Sequence, residues 1–131
     1  MGVSVPGIAR LRNIVLDCPD VRRLSEFYRE LLGWEIIFAD YEGADGWVSL
    51  SDGGGFPRVC FQRADDYRPP RWPDADHPQQ LHIDVTVEDM DAAERQVLAL
   101  GAVKADVQPS ENDSFRVFLD PAGHPFCLCV D

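Results

Sequence analysis

A pattern of one strand, one helix and three further strands occurs twice in this chain, and the duplication constrains its fold more than any single segment does. In the first copy, residues 11–17 are short and rich in branched side chains, and they run into Cys18-Pro19-Asp20. That reads as a strand entering a helix, with Pro19 in the first helical turn. Val21, Leu24, Phe27, Tyr28, Leu31 and Leu32 then recur at helical spacing, while Arg22, Arg23, Glu26 and Glu30 occupy much of the other face. Gly33 can adopt the left-handed conformation of a helix C-cap. Strands are expected at 34–39, 47–50 and 58–62, separated by Asp45-Gly46 and by Asp52-Gly53-Gly54-Gly55. The glycine run has neither the lysine nor the following helix of a phosphate-binding loop, so it reads as a hairpin turn.

The second copy repeats the order. Residues 81–87 read as a strand, Met90, Ala93, Val97 and Leu98 mark a helical stripe, and Gly101 ends it. Strands are expected at 102–107, 115–119 and 125–130, with turns at 109–113 and 120–123. Asn13 aligns with His82, and Gly33 aligns with Gly101 after a one-residue slip. The expected fold is therefore α+β, a single domain over 1–131 in which two βαβββ modules, about 8–63 and 80–130, form a shared curved-sheet cleft. Residues 64–79 join the modules. Their prolines and charges predict a stiff, extended connection rather than a central strand.

A chain of 131 residues, 45% of them hydrophobic, can bury the core of one such domain. Twelve Lys plus Arg against 23 Asp plus Glu give a formal charge of -11, which repels phosphate backbones, and no basic cluster offsets it. Nucleic acid is not an expected partner. No apolar stretch approaches the roughly 20 residues that span a bilayer, and the start lacks a signal-peptide pattern, so no membrane partner and a cytoplasmic location are expected. The four cysteines, Cys18, Cys60, Cys127 and Cys129, contain no CxxC pair and read as reduced, mostly buried thiols.

Strand alternation nominates the functional side chains. If Ile14 and Leu16 face the first helix, Asn13, Val15 and Asp17 face away from it. Leu81, Ile83, Val85 and Val87 likewise face the second helix, leaving His82, Asp84 and Thr86 on the other side. Val59 and Phe61 pack inward and Cys60 and Gln62 outward; Phe126, Leu128 and Val130 pack inward and Cys127 and Cys129 outward. His82 is the expected general base, with Asp84 positioning its imidazole. Asn13, Gln62, Trp72 and Cys127 are expected to contact a ligand, Trp72 at the mouth of the cleft. His82 is also the strongest metal donor, and a histidine with a thiolate would suit zinc better than magnesium. Asp17 and Asp84 lie two residues further on, about 6 to 7 Å along each strand, which sets them apart from the central positions. There is no Ser in a nucleophile-elbow context. The turn around His124 is explained by shape, with Asp120 capping backbone donors and Gly123 able to take a positive φ; His77 reads as an exposed residue of the connection.

Three segments carry a resemblance to a known family: Phe27-Tyr28-Arg29-Glu30-Leu31-Leu32-Gly33-Trp34, Leu81-His82-Ile83-Asp84-Val85, and Asp120-Pro121-Ala122-Gly123-His124-Pro125-Phe126. With the duplication, they make the chain closely similar to the glyoxalase, bleomycin-resistance and extradiol-dioxygenase superfamily, the vicinal oxygen chelate fold, and in particular to its small bacterial glyoxalase-like proteins. The likeness covers roughly residues 8–130. It implies a divalent ion held across the two modules and chelated by neighbouring oxygens of a substrate. His82 stands at the position resembling the second-module histidine ligand. Asn13 stands where the first strand often supplies histidine or glutamine, and Cys127 where the last strand often supplies glutamate. The late-strand carboxylate of the first module is absent, with Cys60 or Gln62 in its neighbourhood, so the usual ligand set is incomplete. The function expected is binding of a small organic molecule in the cleft, with proton transfer assisted by His82. The alternatives are a divalent-metal-dependent lyase or isomerase and a noncatalytic drug-binding resistance protein. Related small domains commonly pair, so a homodimer is expected.

Overall fold

The computed structural model describes residue 2, residues 7–43 and residues 46–130. β1 (Asn13–Cys18), α1 (Val21–Leu32), β2 (Glu35–Asp40), β3 (Trp47–Ser51) and β4 (Arg58–Arg63) form the first βαβββ unit. β5 (Ile83–Thr86), α2 (Met90–Ala99), β6 (Val103–Lys104), β7 (Phe115–Leu119) and β8 (Pro125–Cys129) form the second. Each unit folds into a four-stranded mixed sheet, ordered β1-β4-β3-β2 and β5-β8-β7-β6. The last three strands of each unit pair antiparallel, and the helical crossover brings the first strand parallel to the last. The duplicated architecture read from the sequence is the one observed. No helix among the described residues is long and apolar enough to cross a membrane.

Local chemistry sets the helix ends. Asp20 caps α1, its carboxylate accepting from Arg23 N at 3.1 Å, and Gly33 closes the helix at φ 68° with its N–H on Arg29 O. Pro19 thus precedes the cap and does not sit in the first turn as expected. Asp89 caps α2 in the same way, accepting from Ala92 N at 3.0 Å, and Gly101 follows its end at φ 110°. The Asp45 part of the expected turn lies outside the described residues.

Two strands are shorter than their apolar patterns suggest. Leu81, expected in the core, is 51% exposed and lies outside β5. In the β5/β8 register Ile83 pairs with Phe126, so Leu81 would fall opposite His124. His124 already accepts from Asp120 N through its carbonyl and donates its own N–H to Asp120 Oδ1, so the ladder cannot extend there. β6 stops after two residues instead of covering 102–107 because the Gln108 side chain takes the strand's place: Nε2 donates to Val117 O and Oε1 accepts from Val117 N, both at 2.8 Å.

The core is continuous across the two units, and α1 joins them. Leu24, Phe27 and Tyr28 are buried on the face of sheet 1 that carries Leu16, Val48, Leu50 and Phe61. Tyr28 stacks on Phe61 of β4 at 5.6 Å and also meets Phe126 of β8 edge-on, as Phe27 does at 5.6 Å. The polar end of Tyr28 reaches further. Its hydroxyl donates to Asp120 Oδ2 at 2.7 Å, and Asp120 Oδ1 accepts from Ala122 N and His124 N at 2.8 and 3.0 Å. Asp120 is buried, and the three donors offset most of the cost of removing a carboxylate from water. Burial still holds its pKa above the ordinary carboxyl range, against the opposing pull of Tyr28 and His124.

Removing the Asp120 side chain leaves three donors without an acceptor, so Asp120→Ala should cost about 2–4 kcal/mol of unfolding free energy in urea titrations. Because the folded state raises this carboxyl's pKa, it keeps a proton that the unfolded chain has lost. The resulting stabilisation is full below the ordinary carboxyl value and disappears as pH rises through the folded-state value. Asp120→Asn should therefore flatten the fall in stability on going upward from about pH 4, measured by urea midpoints across that range.

Candidate functional site

The face of sheet 2 turned away from α2 gathers a histidine, a carboxylate and a thiol. His82 immediately precedes β5, and Asp84 follows two residues later, so strand alternation puts both side chains on one side. In the parallel β5/β8 register Asp84 lies opposite Cys127. His82 Nε2 is 3.1 Å from Asp84 Oδ1. One donor atom from each of His82, Asp84 and Cys127 falls within 4.8 Å of the others. His82 and Asp84 remain open to solvent, whereas Cys127 is buried at their base.

The electrostatics define what this cluster can do. Burial pushes the Cys127 thiol up to about 12, and the Asp84 carboxylate reinforces the shift. Cys129 is raised by the same two causes in the same order. At neutral pH Cys127 is thus a protonated thiol beside a carboxylate, not a thiolate nucleophile. The contact between His82 Nε2 and Asp84 orients the imidazole through one of its two ring nitrogens.

The expected site residues divide into two groups. His82, Asp84 and Cys127 come together. Asn13, Gln62 and Trp72 lie outside that cluster: Asn13 is on the edge strand β1 of sheet 1 and Gln62 on the adjacent strand β4, and Trp72 is half-buried in the connection. Asn13 Oδ1 is buried without a hydrogen-bond partner, and Gln62 is exposed. Cys60 is wholly buried, its thiol donating to Ser49 Oγ at 3.3 Å, while Trp47 Nε1 donates to the same oxygen at 2.8 Å. Asp84 was expected to be set apart by its offset along the strand, yet it sits between the other two. The centre of the cluster is set by its cross-strand pairing with Cys127, a register that only the parallel ladder reveals. The signal in the sequence was the His82-Ile83-Asp84 spacing itself.

The donor set is a partial metal site. Imidazole nitrogen, carboxylate oxygen and thiol sulfur are three of the ligand types that zinc accepts, and three protein ligands leave a position open for substrate or water. Cys127 would have to release its proton to serve as one of them.

The glyoxalase-like domain family model matches residues 13–129. The chain belongs to that family and, through it, to the glyoxalase and vicinal oxygen chelate superfamily. A comparison with curated proteins finds no match. Among solved structures, the fosfomycin resistance protein FosX from Listeria monocytogenes superposes with a TM-score of 0.69 at 18% identity, covering 95% of this chain and 93% of that one. A glyoxalase family protein from Enterococcus faecalis gives 0.66 at 19% identity, covering 93% and 98%. TnmS3, an antibiotic binding protein from Streptomyces sp. CB03234, gives 0.59 at 17% identity, covering 96% and 98%. At these identities the structural likenesses establish a shared fold.

Because the Asp84 carboxylate adds to the effect of burial in keeping the thiol protonated, Asp84→Asn should lower the Cys127 pKa part of the way. Mass spectrometry should then show faster iodoacetamide alkylation of Cys127 at a fixed mildly alkaline pH than in the parent protein.

Proposed function

We propose that the chain binds a small organic molecule over the His82, Asp84 and Cys127 face and moves a proton on it, with His82 as the general base. The observation that carries this reading is the 3.1 Å contact between His82 Nε2 and Asp84 Oδ1. A carboxylate on one ring nitrogen fixes the imidazole's orientation and stabilises the imidazolium that forms when the other nitrogen takes a proton. Cys127 forms the floor of the site. Its protonated thiol is a weak donor toward Asp84 and needs no chemistry of its own. Asn13, with its orphaned Oδ1, is assigned to accept a hydroxyl of the ligand, and Gln62 and Trp72 to the outer contacts of the cleft.

A second reading follows from the same three donors. In a divalent-metal-dependent lyase or isomerase, His82, Asp84 and Cys127 would hold a zinc ion, which when bound supplies Lewis-acid stabilisation of charge on ligand oxygens. A third, sequestration of a drug without turnover, is supported by the likeness to an antibiotic binding protein. In each reading the protein acts as a cytoplasmic homodimer. Four free thiols suit a reducing compartment, and a second copy would cover exposed apolar side chains such as Val15, Phe38 and Leu81.

Deuterium incorporation next to the carbonyl of a panel of 2-oxo and 2-hydroxycarbonyl compounds, followed by NMR in D2O, tests the proton transfer. His82→Ala should cut exchange by about 10²- to 10⁴-fold with the fold retained, since the side chain is largely exposed. Unchanged exchange would remove His82 from the mechanism. Chelator treatment separates the other readings: exchange that survives it is metal-free, exchange that is lost and restored by zinc is metal-dependent, and stoichiometric binding without exchange is sequestration.

A further inference from the structure

The open face of sheet 2 changes character from one edge to the other. Residues paired across a ladder turn their side chains to the same side, so the register extends the face from Asp84 and Cys127 to Val117 of β7. One step further along β7, Leu119 pairs with Val103 of β6, and both belong to that face. The ionisable groups, His82 and Asp84, thus stand at the β5 edge, and Leu119 and Val103 stand toward the β6 edge. Cys127 and Val117 are buried between them, and the thiol is protonated at neutral pH. Leu119 is half-buried and Val103 is 60% exposed, so the far end of the strip is an apolar surface open to a ligand.

The two cations carried by the strands of this sheet are on its other side. Arg116 alternates with Val117, and its guanidinium meets Asp91 and Glu94 of α2 at 3.0 and 3.2 Å and Asp113 at 2.7 Å. Lys104 alternates with Val103 and meets Glu94 at 2.9 Å. Both are committed to carboxylates on the helix side. In sheet 1, Arg58 of β4 is turned onto the Phe56 ring at 4.3 Å, and its Nε donates to Gly55 O. An anionic group placed over His82 would therefore meet the exposed Asp84 carboxylate with no cation of sheet 2 to offset the repulsion.

We infer that the ligand of the His82 face is an uncharged hydroxycarbonyl compound with an elongated apolar body. Its polar head lies at His82 and Asp84, and its hydrocarbon part runs across Leu119 to Val103. This rests on the His82 face being the ligand site, and it names the class of molecule the face takes. Val103 is the specificity-determining residue of the far end, because β6 lies three strand spacings, roughly 14 Å, from β5. A ligand long enough to reach it gains by covering exposed apolar surface, and a ligand carrying a negative charge loses by its approach to Asp84.

Three probes separate length from charge: 2-hydroxyacetophenone, with one ring; 2-hydroxy-4′-phenylacetophenone, with two rings in line; and 3-(biphenyl-4-yl)pyruvate, an anion of similar length. Isothermal titrations at about pH 8, above the ordinary imidazole range, are run on the parent chain, Val103→Asp, Val103→Lys and His82→Ala. The two-ring ketone should bind saturably and about tenfold or more tighter than either of the others. Val103→Asp should weaken the two-ring ketone by about three- to tenfold and leave the one-ring ketone, too short to reach β6, unchanged. Val103→Lys should shift the preference toward the anion by about tenfold. Since Val103 is exposed, the urea midpoints of both variants should match the parent. His82→Ala should lose deuterium exchange and keep most of its affinity for the two-ring ketone. Exchange without this ranking of probes would remove the ligand class alone, and the ranking without exchange would remove the proton transfer alone. No saturable binding of the two-ring ketone, an anion bound as tightly as that ketone, or Val103 variants indistinguishable from the parent would each overturn the proposal.

Discussion

The bond between the Tyr28 hydroxyl and the Asp120 carboxylate is where the two halves of this protein become one structure. Each βαβββ unit can bury its own helix against its own sheet, but that alone does not fix how the halves sit together. Tyr28 does so because it has an apolar body and a polar tip. Its ring fills the space between Phe61 and Phe126, one from each sheet, and its hydroxyl ends on a buried carboxylate of the second unit. A phenylalanine could fill the volume but would strand Asp120 without its donor. The same turn is held from the other side by Tyr67 and His124, which reach Ala122 O and Asp17 O. The start of β8 is thereby tied to the end of β1. A residue that looked like a turn former in the sequence is the polar centre of the junction.

Function depends on that junction indirectly. β8 begins immediately after the Asp120 turn, and its register against β5 puts Cys127 opposite Asp84. A slip of one residue would send Cys127 to the helix-facing core and bring an apolar neighbour to Asp84. The turn that fixes where β8 starts therefore also fixes which side chains meet at the proposed site. It leaves the His82 side chain free of the core, supported by Asp84 and open to a ligand.

Much of this was legible in the residue order because period and punctuation are local properties. The Val21 to Leu32 stripe, Gly33 and the repeated Gly101 specify helices that end where the structure ends them. The alternation of His82, Ile83, Asp84 and Val85 separates core from open face correctly, whereas Leu81, one step earlier in the same pattern, lies outside the strand and is exposed. What was not legible depends on groups distant in sequence. Leu81 leaves the ladder because His124 spends its backbone on Asp120, and β6 is cut short because an amide side chain, Gln108, imitates a strand. Neither leaves a mark on the hydrophobic pattern. Asp84 was assigned a supporting place for the same reason: its distance from His82 can be counted along one strand, but its pairing with Cys127 requires the register of another. The orphaned oxygens of Asn13 and Gln79 are likewise properties of packing, invisible in any motif.

The account stands on His82, Asp84 and Cys127 forming one ligand-facing cluster. The most direct test is a high-resolution crystal structure of the protein purified from its native host without chelator. The expected result is electron density for a small molecule or ion within hydrogen-bonding or coordination distance of His82 and Asp84, with the Cys127 sulfur beneath it. Density showing His82 and Cys127 on opposite faces of the sheet, or that face sealed by apolar packing, would contradict it.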